Sequence, residues 1–121
     1  MLELTLEQVL AGVRAVGTPE LIEAVASEPE ESYPQRRITV EPLYRLFERR
    51  TTTEPADVPA GRYARRFVAA LADYRGGHVI AVDVYTASRK DAFVLFDEET
   101  AVPLCMLPGN GSLLDQDPDR A

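Results

Sequence analysis

The sequence predicts an α+β domain: about four helices followed by a three-stranded antiparallel meander. Three observations point there. Before residue 76, apolar residues recur at three- and four-residue steps. After Gly76-Gly77 the pattern changes to short runs rich in Val, Phe and Leu, separated by polar turns. A chain of 121 residues that is 45% hydrophobic and 27% charged can bury one core and is too apolar for disorder. The domain is expected to span residues 1–107, with a flexible acidic tail over 108–121.

Thr5-Leu6-Glu7-Gln8 has the form of a capping box, so the first helix starts there, and Leu6, Val9, Leu10, Val13 and Val16 mark its apolar stripe. Gly17 ends it. Thr18-Pro19-Glu20 starts the second helix, with an N-cap threonine and proline at the first helical position. Leu21, Ile22 and Val25 form the buried side. The stretch from Ser27 to Gln35 is an acidic, proline-bearing loop. Residues Arg37 to Val40 fit either a fourth short strand or the approach to the next helix, and the approach is preferred. That third helix starts at Glu41-Pro42 and buries Leu43, Leu46 and Phe47. The fourth, Ala60 to Arg75, repeats Tyr63, Phe67, Ala70, Leu71 and Tyr74 at helical spacing, with Gly76-Gly77 beyond it as a C-terminal stop.

The strands are expected at His78–Ala87, Ala92–Asp97 and Ala101–Leu107. A four-residue turn at Ser88–Asp91 sets Tyr85 opposite Val94 and Asp83 opposite Phe96. Side-chain alternation then gives one face made of Ile80, Val82, Val84, Phe93, Leu95, Val102, Leu104 and Met106. The other holds Val79, Ala81, Asp83, Tyr85, Val94, Phe96, Pro103, Cys105 and Leu107. Pro103 cannot donate to a ladder and marks the third strand as an edge.

The net charge of -7 is uneven. Residues 1–35 hold seven acids and one arginine, residues 36–90 eleven bases and six acids, and residues 91–121 seven acids and one arginine. Neutralisation of the basic middle by the acidic ends within the fold is the expectation. One cysteine permits no internal disulfide, no apolar run is long enough for a membrane span, and the N-terminus lacks a secretory pattern, so a cytoplasmic location is expected.

No catalytic, metal or cofactor set emerges. Cys105 and the single histidine, His78, fall on opposite sheet faces. One His and one Cys do not make a zinc site, the Asp97-Glu98-Glu99 cluster lacks EF-hand spacing, and Gly109-Asn110-Gly111 precedes no lysine-bearing helix start. The acids of the second helix repel phosphate, which removes a helix-turn-helix reading.

The second sheet face is too apolar to stand open and needs a cover: a helix, the tail, a second copy or a partner. The leading function is therefore a non-enzymatic protein-interaction module, in one version a small acidic inhibitor of antitoxin or immunity type for a basic partner. Its partner-binding candidates are Asp83, Tyr85, Val94 and Phe96. A structural role for Asp83 is preferred to a partner role, and both to a catalytic one. One alternative is a ligand-binding or metabolic enzyme domain with a pocket between sheet and helices. The other is nucleic-acid binding through Arg45, Arg49, Arg62 and Arg66 beside Tyr44 and Tyr63. The same four arginines are the anion-binding candidates.

Overall fold

The computed structural model describes residues 3–87 and 92–108. Helix α1 spans Leu6–Val16 and α2 spans Pro19–Ser27. Both start on the signals their sequences carry. The Gln8 N–H donates to Thr5 Oγ1 at 3.2 Å while the Thr5 N–H donates to Gln8 Oε1 at 2.9 Å, which closes the capping box. Thr18 Oγ1 accepts from the Leu21 N–H at 3.2 Å, with Pro19 in the first turn. Strand β1 (Gln35–Thr39) runs directly into α3 (Val40–Thr53), and α4 (Pro59–Leu71) continues through a short 3-10 turn, Ala72–Tyr74. Strands β2 (His78–Val84), β3 (Ala92–Asp97) and β4 (Pro103–Pro108) complete the chain. The sheet order is β1-β2-β3-β4, antiparallel throughout.

The α+β architecture and the β4 edge agree with the sequence reading. Three features differ. The segment expected as a mere approach to α3 is an edge strand, β1, paired along β2 from Gln35–Val82 to Thr39–His78. Strand β2 stops at Val84, short of Ala87, so residues 85–91 link it to β3; the expected turn at Ser88–Asp91 lies outside the described residues. Asp83 accordingly pairs with Phe93 and not with Phe96. A slip of three residues is odd, so it exchanges the two faces of β3.

With that register the sheet is the middle of three layers. On one face Ile80, Val82, Val84, Val94, Phe96 and Met106 pack against Val9, Val13, Leu21 and Val25 of α1 and α2. On the other, Ile38, Val79, Ala81, Leu95, Cys105 and Leu107 pack against Val40, Leu43, Phe47, Ala64, Phe67 and Leu71 of α3 and α4. Phe47 and Phe67 meet edge to face with ring centroids 4.2 Å apart, joining α3 to α4. Near-continuous apolar runs such as Val79-Ile80-Ala81-Val82 follow from burial on both faces. Among the described residues no helix is long and apolar enough to cross a membrane. The expected tail lies outside the described residues from residue 109 onwards.

The ends of the strands are held by carboxylates. Asp97 Oδ1 accepts from the N–H groups of Glu99 and Thr100 at 2.8 and 2.9 Å, and Oδ2 accepts from the Tyr74 hydroxyl at 2.9 Å. These donors hold the Asp97 carboxyl below its usual range, the Thr100 N–H contributing most. Glu41 takes Arg75 at 2.7 Å and Arg45 at 3.0 Å, and the two guanidiniums, Arg75 first, lower its carboxyl to about 2. A carboxyl depressed in the folded state stabilises it above the unfolded pKa, and that contribution disappears as pH falls through the folded value. The melting temperature should therefore fall steadily from about pH 4.5 down to about pH 2. Glu41→Gln should flatten this slope, and an unchanged Tm–pH profile would show that the Arg75–Glu41–Arg45 cluster does not persist in solution.

Candidate functional site

The four residues expected to form one recognition face are not together. Val94 and Phe96 are fully buried under α1 and α2. Asp83 lies on the opposite face of β2, half-buried and not without a partner, and its N–H donates to the Pro34 carbonyl at 2.9 Å. Tyr85 lies past the end of β2, where its ring stands edge-on to Tyr33 with centroids 5.6 Å apart. The apolar surface for which the sequence predicts a cover is thus already covered by helices of the same chain.

The arginine candidates are also divided. Arg45 is tied to Glu41. Arg66 lies over the Tyr63 ring, 5.7 Å from its centroid, and lines a hollow with Val16 and Leu104 beside β4. Arg49 and Arg62 are exposed on their separate helices. Tyr44 is buried beneath Arg75, and Tyr63 is packed against both halves of the core, so neither ring stands free for a base to stack on. Arg65, on the same helix, is engaged by three main-chain carbonyls.

His78 and Cys105 do fall on opposite faces of the sheet: His78 follows the alternation of Ile80, while Cys105 packs with the α3–α4 side. Burial pushes the Cys105 thiol up to about 12, which leaves it without nucleophilic thiolate. No cluster of three His, Cys, Asp or Glu side chains able to hold a metal is present among the described residues.

What the fold does create is a separation of charge. Residues 3–31 carry seven acids and one arginine, and α1 and α2 place them on one side of the sheet. Glu3, Glu7, Glu20, Glu23 and Glu31 are exposed. The three ion pairs among the described residues are Arg37–Glu98, Arg45–Glu41 and Arg75–Glu41, and none involves these five acids. The α3–α4 side, residues 40–75, is far closer to balance, with seven arginines and five acids. Of the expected neutralisation of the basic middle by the acidic ends, Arg37–Glu98 is one instance, and Glu3 and Glu31 line the same cavity as Arg36 and Arg37. The arginines of α3 and α4, in contrast, lie across the sheet from α1 and α2, roughly 20 Å away. That exceeds the Debye length of about 8 Å at physiological ionic strength.

A second feature was not foreseen. A cavity of about 370 Å³ opens between the start of α1 and β1, walled by Leu4, Leu6, Val9 and Ile80. Its position depends on β1 being a strand, and the polar sequence Gln35-Arg36-Arg37 hides that strand from a reading of hydrophobicity. The signal in the sequence is the β-branched run Ile38-Thr39-Val40, which starts four residues after Pro34. Comparison with protein-family models, with curated proteins and with solved structures finds no match.

Proposed function

We propose that this chain is a non-enzymatic protein-interaction module whose acidic layer, α1 and α2 with the following loop, meets a basic partner protein. The observation that supports this reading is the one-sided charge: exposed Glu3, Glu7, Glu20, Glu23 and Glu31, with no cation of the same chain paired to them among the described residues. A surface of one sign steers association with a surface of the opposite sign and does so most strongly at low salt. A small acidic inhibitor seated over a basic active site is the version that fits an exposed acidic layer of this kind.

The test is co-purification with the tagged chain at low salt, followed by identification of what is retained. The expected result is a basic protein that is released as salt rises. Glu20→Lys combined with Glu23→Lys, both exposed on α2, should weaken its binding by about tenfold or more while leaving the melting temperature close to wild type. Retention that ignores salt and survives this charge reversal would overturn the reading, as would the absence of any retained protein.

A further inference from the structure

We propose that the edge of β1, open among the described residues, is a docking site for an extended segment of a partner protein, which adds to the sheet as a fifth strand and alternates apolar with acidic residues. The site adjoins the acidic layer at Glu3 and Glu31, but its test reads main-chain protection along β1 and can fail without touching the acidic-layer reading. The hydrogen-bonding pattern defines it. The Asp83 N–H donates to the Pro34 carbonyl, and the Val40 N–H donates to the Gly77 carbonyl at 3.1 Å. Within β1, the main-chain groups of Arg36 and Ile38 therefore turn towards β2, and those of Gln35, Arg37 and Thr39 turn outwards. A row of outward N–H and C=O groups is a template for another strand. The opposite edge is not equivalent, because Pro103 and Pro108 bracket β4 and remove donors there.

The chemistry of the incoming segment follows from what flanks the edge. Side chains of an added strand alternate between the two faces of the sheet. On the α1 side they meet the cavity of about 370 Å³ and its wall of Leu4, Leu6, Val9 and Ile80, where Leu6 is 36% exposed for want of a neighbour. Glu3 and Glu31 line this cavity together with Arg36 and Arg37, so its charges offset one another and its apolar wall selects an apolar residue. On the other face lies Arg36, whose Nη2 is buried with no hydrogen-bond partner. An orphaned buried donor carries a cost that an incoming carboxylate removes. A second copy of this chain fits poorly, since antiparallel pairing centred on β1 sets Arg37 against its own counterpart, and like charges directly opposite destabilise a ladder. Strand addition of this kind draws affinity from the main chain and specificity from alternate side chains.

The experiment uses the full chain and a capped decapeptide alternating valine and aspartate as probe, read by amide hydrogen exchange. In the free protein the Arg36 and Ile38 amides should be protected and the Gln35 and Arg37 amides should exchange fast. The probe should protect Gln35 and Arg37, and a valine–lysine decapeptide should not. Arg37→Pro removes an outward donor at an edge position where proline spares the β1–β2 ladder, and it should weaken the probe by about tenfold. Arg37→Ala, which loses the same Glu98 pair but keeps the N–H, should bind as wild type. The proposal is overturned if the probe does not bind, if it binds without protecting Gln35 and Arg37, or if the lysine peptide protects them equally. Protection already present without probe also overturns it; loss of that protection on dilution would then identify a second copy as the occupant.

Discussion

Gly12→Val should destabilise the protein by about 3 kcal/mol, read as a lower urea midpoint with an unchanged m-value. Gly12 sits in the middle of α1 where the helix crosses the sheet, and a Cβ built on it overlaps the outer atoms of the Phe96 ring. Phe96, on β3, is fully buried in the core between the sheet and α1 and α2, where close packing resists displacement of its ring. Two effects oppose each other in the smaller change, Gly12→Ala. Helix propensity favours alanine by about 1 kcal/mol, and overpacking costs about 1–3 kcal/mol. The clash should win, giving a net loss of about 1 kcal/mol. Valine adds two further methyl groups to the same place and keeps little of the propensity gain. Phe96→Leu makes room at the contact, so Gly12→Ala should be less harmful in that background, a coupling that a double-mutant cycle measures. Gly76→Ala is the control: no heavy atom lies within 4 Å of its Cβ position, and its stability should change little. If Gly12→Ala instead raised the midpoint, the close approach of α1 to Phe96 would be wrong.

That contact also shows which parts of the fold were legible. The starts of α1 and α2 were readable because their signals are local: a threonine with a glutamine three residues on, and a threonine followed by proline. The edge position of β4 was readable because Pro103 lacks a donor. The β2–β3 register was not, and the reason is physical. Register follows from alternation only where one face is apolar and the other polar. Here Val79-Ile80-Ala81-Val82 and Phe93-Val94-Leu95-Phe96 are apolar on both faces, so a slip of three residues changes nothing that hydrophobicity can detect. The apolar surplus that calls for a cover is the trace of a second helical layer. The acidic character of residues 3–31 could be counted in advance. Its segregation could not, because it depends on α1 and α2 sharing the face opposite α3 and α4. The β1 strand is legible only as the less favoured of two readings, and for a different reason: Ile38 is its one buried side chain, and a strand of five residues with one apolar contact leaves no periodicity.

Arg65→Ala should cost about 2–3 kcal/mol and open the α3–α4 connection first. The last carbonyls of a helix have no intrahelical donors, and α3 meets that need from outside. Arg65 Nη2 donates to the Thr51 carbonyl at 2.7 Å, while Nη1 donates to the carbonyls of Glu54 at 3.1 Å and Gly61 at 3.0 Å. One side chain of α4 thereby closes the end of α3, the loop and its own first turn. Arginine suits the task because its planar fork addresses several acceptors at fixed angles. Lysine brings the same charge to the same helix end but one rotating ammonium, so Arg65→Lys should recover less than half of the loss. Full recovery would mean that charge near the α3 C-terminus is what matters, an effect worth about 0.3–1 kcal/mol, and not the fork. Gly61 belongs to the same arrangement. A Cβ there would overlap the Pro55 carbonyl oxygen and lie 2.9 Å from Arg65 Nη1. Gly61→Ala should therefore displace the loop that Arg65 holds, and the double variant should lose less than the two single losses added together. Amide exchange should show the effect concentrated at the α3–α4 connection, with the β2–β3 ladder still protected to the global limit, because the sheet keeps both of its apolar faces covered when that loop opens.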